Sequence, residues 1–177
     1  MGFQRRYQPP FGSANRLTAW RIVGKYTASV EDHLVIPASV RLPPGQERYR
    51  RFLGKPVRAP VAIRLLIDTG TRRSTIIPGL FRHLLAPAAG NAQVVSAVGA
   101  ARTDLFWVCL EFPEAGLAPF PEVLVARLPM PAALGQFHGL LGRYLLRRFE
   151  SFEYEGRRGC YSLRDRPGLF TWLRRWL

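Results

Sequence analysis

"VAIRLLIDTGTRRSTIIPG", Val61–Gly79, is the stretch whose reading decides the fold. A nearly unbroken apolar run, Val61 to Ile67, delivers one acid, Asp68, onto a Thr69-Gly70 turn. Consecutive apolar side chains at Leu65, Leu66 and Ile67 suit a central strand covered on both faces. An aspartate entering a turn from such a strand is partly desolvated, which penalises its charged form. Thr69 can hydrogen-bond to backbone and lock the turn, while Gly70 removes the Cβ that would crowd the carboxylate. A Thr/Ser-rich return (Thr71, Ser74, Thr75) then runs into Ile76-Ile77. D-T-G alone is a weak signal, because many such tripeptides are turns with an Asp cap.

The surroundings narrow the class. The chain has 177 residues, 47% of them hydrophobic, which suffices for one domain with a real core. Fifteen prolines and sixteen glycines, spread along its length, favour many short elements joined by turns and a mostly β architecture. The formal charge is +14, and Lys25 and Lys55 are the only lysines. The basic residues occur as scattered pairs, such as Arg5-Arg6, Arg72-Arg73 and Arg174-Arg175, with no single helical stripe. A weak, salt-sensitive, non-specific affinity for nucleic acid or acidic surfaces follows from that charge.

Cys109 and Cys160 form no C-x-x-C pair, and His33, His83 and His138 make no metal spacing with them. No metal or cofactor is implied. Cys160 and His138 could pair as nucleophile and base, but a mid-strand Cys160 has no helix N-terminus to activate it. The first twenty residues are charged and lack an apolar h-region, and no run approaches the length of a membrane span. A cytoplasmic protein is the expectation.

Along the chain, residues 1–16 read as a loose tail. "AWRIVGKYTASV" and "HLVIPASVRL" read as strands, the second closed by a Pro43-Pro44-Gly45 turn. Tyr49 to Leu53, a turn at Gly54-Lys55-Pro56 and the strand into Asp68 read as a hairpin. A short helix follows Pro78, with Leu80, Leu84 and Leu85 at helical spacing and Pro87 as its stop. "AQVVSAVGAARTDLFWVCLEF" reads as two strands around a Gly-Ala-Ala turn, and "PEVLVARLP" as another strand. A helix is expected near Tyr144 to Phe149, then a hairpin across Gly156-Arg157-Arg158-Gly159. "PGLFTWLRRWL" is a basic amphipathic segment at the C-terminus, with Leu169, Trp172, Leu173 and Trp176 able to share a face.

Two carboxylates in contact cannot both ionise, so such a pair shares a proton. One can then act as general base on a water while the other protonates a carbonyl oxygen, which hydrolyses an amide without a metal. "LLIDTGTRRSTII" resembles the active-site turn of the retropepsin-like aspartic proteases. "GLLGRYLLRRF", Gly139 to Phe149, resembles the family's second hallmark, two apolar residues before a Gly that opens a short helix: Leu140, Leu141, Gly142 and Arg143. Between them lies the expected hairpin, with Val98, Gly99 and Ala100 where the family has its flap. The match spans roughly residues 47 to 165, in the single-lobe bacterial or cellular form.

The resemblance implies a closed acid-protease barrel lobe over 47–165, mostly β with one or two short helices. Residues 1–46 would be an N-terminal extension and 166–177 a basic C-terminal helix. It also implies an aspartic endopeptidase with Asp68 as the catalytic carboxylate and Thr69, Gly70, Thr71 and Ser74 supporting the turn. Asp32, Asp104 and Asp165 stand in no second D-T-G, so activity would require a C2 homodimer, Thr69 of each chain buttressing the pair. Its substrate would be a protein or peptide. The chain departs from the family at Arg72 and Arg73, where viral relatives carry acids that bind substrate and the helix Arg. Arg143 thus lacks its expected partner, and Tyr144 replaces an Asp or Asn. A catalytically silent dimer or binding module with the same lobe, or a basic protein binding nucleic acid or acidic surfaces, are the alternatives.

Overall fold

The computed structural model describes residues 25–29, 33–96 and 99–165. The N-terminal tail, the C-terminal amphipathic segment and Val98 lie outside the described residues.

The first strands are β1 (Lys25–Ser29) and β2 (Val35–Arg41), followed by helix α1 (Pro44–Phe52). Next come β3 (Val61–Ile67), β4 (Thr75–Ile76) and α2 (Pro78–Leu84). The long strands β5 (Ala88–Ser96), β6 (Gly99–Phe112) and β7 (Leu117–Arg127) follow. The chain then forms β8 (Gly139–Leu141), α3 (Arg143–Leu146), β9 (Phe149–Glu155) and β10 (Cys160–Asp165). Six strands close a barrel in the order β2-β3-β8-β4-β7-β6, and β6 returns to β2 through Ser39–Glu111, Val40–Leu110 and Arg41–Cys109 pairs. Closure leaves those strands no free edge. A separate three-stranded sheet, β1-β10-β9, packs beside it. The fold is thus mostly β with short helices, as the sequence implies.

Alternation fills the barrel. Ile36, Ala38 and Val40 of β2, Ile63, Leu65 and Ile67 of β3, and Val123 and Val125 of β7 all point into one core. Phe81 of α2 stacks on Phe106 at 4.0 Å between ring centroids, which fixes that helix against the barrel. Phe112, Phe120 and Phe149 form a second aromatic cluster that joins the barrel to β9. Burial of such rings is worth about 1.5–3 kcal/mol each.

Three local expectations are corrected. Residues 49–53 are not a strand, and Pro43-Pro44-Gly45 is not a turn: the segment is α1, with Pro44 in its first turn. Proline's fixed φ suits that position, and Glu47 near the start with Arg50 and Arg51 near the end suits the helix dipole. Glu47, only 5% exposed, lies 3.3 Å from Arg41 of β2 and 3.5 Å from Arg51 one turn later, so the helix carries the acid that anchors it. Gly54, at φ 64°, then caps the helix end, and the expected hairpin into β3 does not exist.

The second correction is at the long hairpin. Gly99 and Ala100 pair with Ser96 and Val95, so they are strand residues of β6, not the turn. Pairing down the arms sets the register, with Ser96 opposite Gly99. The third is α3, which spans one turn, Arg143–Leu146, while Phe149 already begins β9. The helix after Pro78 and the hairpin across residues 156–159 form as expected.

β2, within residues 1–46, supplies the strand that closes the ring. No helix among the described residues is long and apolar enough to cross a membrane.

Candidate active site

The turn that carries Asp68 is built by three strands. β3 runs up to it and β4 leaves it, yet the two do not pair. β8 lies between them, parallel to β3 through Leu65–Gly139, Leu66–Leu140 and Ile67–Leu141, and antiparallel to β4 through Thr75–Leu140 and Ile76–Gly139. The two sequence motifs are therefore brought together as neighbours in one sheet. The Asp68 amide donates to the Leu141 carbonyl at 3.1 Å, which fixes the residue's position at the mouth of the strand pair.

Close backbone approach explains the glycines of the second motif. A Cβ on Gly142 would lie 2.7 Å from the Arg73 carbonyl carbon and 2.8 Å from its oxygen. A Cβ on Gly139 would lie 2.1 Å from the Thr75 carbonyl oxygen. Only glycine lets β8 and the start of α3 sit this near the return from the Asp68 turn. The contact is then locked by hydrogen bonds. The Gly142 amide donates to Ser74 Oγ at 2.9 Å in a buried position, and the Arg143 and Tyr144 amides donate to the carbonyls of Thr71 and Arg72, both at 3.0 Å.

The carboxylate itself is held by its own turn. The Gly70 amide donates to Asp68 Oδ1 at 2.7 Å and the Thr71 amide to the same oxygen at 3.2 Å. Thr71 Oγ1 donates to the Asp68 carbonyl at 3.3 Å. Among the described residues no donor sits on Oδ2, so one oxygen is positioned and the other left open. Asp68 is half-buried; Thr69 and Gly70 are exposed at the tip. An added Cβ on Gly70 would stand 3.0 Å from Oδ1, so the glycine keeps space beside the acid. A turn that binds one carboxylate oxygen with two amides presents the second to whatever approaches: a water, a carbonyl, or another acid.

The β5–β6 arm is the hairpin in which the sequence places the expected flap residues. From Gly99 to Asp104, β6 pairs with β5 alone, because β7 joins it only from Leu105 onwards. That stretch is a two-stranded arm standing clear of the barrel. Its base is tied to the end of β7: Arg127 pairs with Asp104 at 2.7 Å, and Thr103 Oγ1 donates to the Arg127 carbonyl. β7 in turn lies parallel to β4, with Thr75 opposite Ala126 and Ile76 opposite Arg127. The arm's base thus sits one strand away from the Asp68 return. The Asp104–Arg127 tie was not foreseen, because nothing in either residue's local sequence signals a partner 23 positions away.

Arginines surround this turn. Arg72 lies over the Tyr144 ring at 4.9 Å, and Arg143 and Arg147, one helical turn apart, are both exposed. Among the described residues, Arg72, Arg73, Arg143 and Arg147 form no ion pair; the ion pairs of the described residues involve other arginines. The remaining reactive residues are occupied elsewhere. Cys160 Sγ contacts Glu155 across the β9–β10 hairpin, whereas His138 Nδ1 accepts the Arg64 amide beside β3, so these two do not meet as a pair. Burial pushes the Cys109 thiol upwards, with Arg41 beside it acting in the opposite direction. No group of three or more His, Cys, Asp or Glu among the described residues could hold a metal ion.

Comparison with known proteins rests on shape alone. No family model matches the chain, and no curated protein does. Among solved structures it is similar to a retropepsin-like aspartic protease from Rickettsia conorii, at 16% identity and a TM-score of 0.53. The match covers 84% of this chain and 98% of that one. The lobe described above is a retropepsin-like fold.

Proposed function

We propose that this protein is an aspartic endopeptidase that works as a C2 homodimer, with Asp68 of each protomer meeting its mate across the axis. The observation that carries the reading is the seating of Asp68: half-buried at the end of β3, one oxygen held by two amides, the other open. Among the described residues, neither of the other aspartates is available for the pair. Asp104 is engaged by Arg127 at the arm's base, and Asp165, buried, accepts the Ala118 amide. Asp32 lies outside the described residues. A second copy of the same turn is the economical source of the missing carboxylate, and an isologous interface places two copies face to face.

In that arrangement the two Asp68 side chains hold one proton between them. The unprotonated carboxylate takes a proton from a bound water as its oxygen attacks the peptide carbonyl carbon. The protonated one gives its proton to the carbonyl oxygen, so the C=O π bond opens as the C–O bond forms. The tetrahedral intermediate collapses when one hydroxyl gives its proton to the carboxylate that is now unprotonated and re-forms the carbonyl, while the nitrogen takes the proton of the other carboxyl group as the C–N bond breaks. In the proposed dimer Thr69, exposed at the tip, buttresses the partner's turn, and the β5–β6 arm covers an extended peptide. The net +14 charge adds a weak, non-specific affinity for polyanions.

The test compares wild type with Asp68→Asn on a mixture of unrelated peptides, with mass in solution and circular dichroism measured on both. The proposal expects cleavage by the wild type only, with both proteins folded and dimeric. Cleavage retained by folded Asp68→Asn would refute it.

A further inference from the structure

We infer that the substrate is an acidic peptide segment, recognised by the arginine rim around the Asp68 turn; this rests on the proteolytic reading and extends it to the substrate class. Arg72 directly follows Thr71, whose amide lies 3.2 Å from the Asp68 carboxylate. Arg73 comes next, and Arg143 and Arg147 face outward from the one-turn helix whose first amides bind the Thr71 and Arg72 carbonyls. Four arginines thus lie on the return from the Asp68 turn and on the short helix hydrogen-bonded to it. Among the described residues none of the four forms an ion pair with an acid. In a C2 dimer the rim occurs twice, once on each side of the axis.

The spacing suits a peptide. An extended substrate advances about 3.3 Å per residue, so a carbonyl at Asp68 puts side chains about two residues away within reach of Arg72 and Arg73. A peptide can present a neutral backbone to Asp68 and carboxylates to the rim. A polynucleotide carries a charge at every residue and would set one against Asp68 itself. Tyr144, 41% exposed beneath the Arg72 guanidinium, holds that side chain over α3, so part of its ordering cost is met before substrate arrives. Each exposed ion pair contributes a factor of about two to five, so two such pairs give roughly tenfold preference for an acidic peptide.

The experiment separates binding from cleavage. Two labelled peptides, identical except for Glu or Gln two residues either side of an apolar centre, are titrated against Asp68→Asn at low salt. The expected result is roughly tenfold tighter binding of the Glu peptide. That gap should close when Arg72→Ala and Arg73→Ala are added. It should persist with Arg157→Ala and Arg158→Ala, which lie at the far end of β9, about 20 Å along the strand. Equal binding of the two peptides overturns the inference. So does an equal loss in both double variants, which would mean only bulk charge acts, or an oligonucleotide of equal charge that binds more tightly through the same arginines. Cleavage by wild type is read separately. Cleavage without acidic preference sinks this inference and leaves the protease; acidic binding lost only with Arg72 and Arg73, but no cleavage, does the reverse.

Discussion

Gly142→Ala is the sharpest test of how the two motifs are welded together. The new Cβ would stand 2.7 Å, 2.8 Å and 3.0 Å from three backbone atoms, the Arg73 carbonyl carbon and oxygen and the Ser74 nitrogen. Ordinary carbon contacts begin near 3.5 Å, so the backbone of one segment must move by well over half an ångström. Backbone cannot swing aside as a side chain would. Overpacking of this kind costs about 1–3 kcal/mol. The same shift stretches the 2.9 Å bond from the Gly142 amide to Ser74 Oγ, adding about 1 kcal/mol. The sum, about 2–4 kcal/mol, lowers the melting temperature by roughly 4–16 °C in a domain of this size. Thermal unfolding followed by circular dichroism measures it. Gly45→Ala is the control: nothing lies within 4 Å of its Cβ, and it sits in the first turn of α1. That variant should match or slightly exceed wild type. A Gly142→Ala protein as stable as wild type, or a Gly45→Ala protein equally damaged, would refute the reasoning.

Ser74→Ala removes the acceptor of the buried Gly142 amide, and urea unfolding should show a loss of about 1–3 kcal/mol; a loss under about 0.5 would mean water replaces the hydroxyl. Arg127→Ala breaks a half-exposed ion pair with Asp104, so stability should fall by less than about 1 kcal/mol. Hydrogen exchange should nevertheless quicken along Asn91–Val94 and Arg102–Asp104, and unchanged exchange there would show that this pair does not steady the arm's base. Burial raises the phenols of Tyr26 and Tyr161, and for Tyr161 the neighbouring Tyr26 adds to the effect. The folded state therefore keeps protons that the unfolded chain releases above about pH 10. Their stabilisation is intact below that pH and is lost as pH rises beyond it. Denaturant titrations at rising pH should show that decline reduced in Tyr161→Phe; an identical slope would contradict it.

The sequence was most legible where chemistry is local. Val61 to Ile67 read as a strand, in which Ile63, Leu65 and Ile67 are buried, and the Asp68 carboxylate and carbonyl are hydrogen-bonded within four residues. Leu141-Gly142 could be tied to that turn only through the family resemblance; the close approach that demands the glycine is visible in the structure. The helix α1 was not legible, since Tyr49, Phe52 and Leu53 have strand composition. In the structure Phe52 is 84% exposed, so these side chains pack little and the decisive residues are Pro44 and Glu47. The place of β2 in the barrel depends on pairs with Val61–Leu66 and Cys109–Glu111, contacts between distant segments that leave no mark on its own seven residues. We propose that the lobe begins before residue 47 for this reason. The arm's register failed similarly: a small Gly-Ala-Ala looks like a turn until the ladder beneath it is known.

The central claim is that one active site is made from two copies of Asp68, and subunit mixing tests it most directly. Wild type is held at fixed concentration while an equal amount of Asp68→Asn is equilibrated with it, and peptide cleavage is measured. Random pairing in a two-fold dimer leaves about a quarter of the dimers with two intact carboxylates, so activity should fall to about half. Activity unchanged by the added variant would show that each chain acts alone, and would contradict the account.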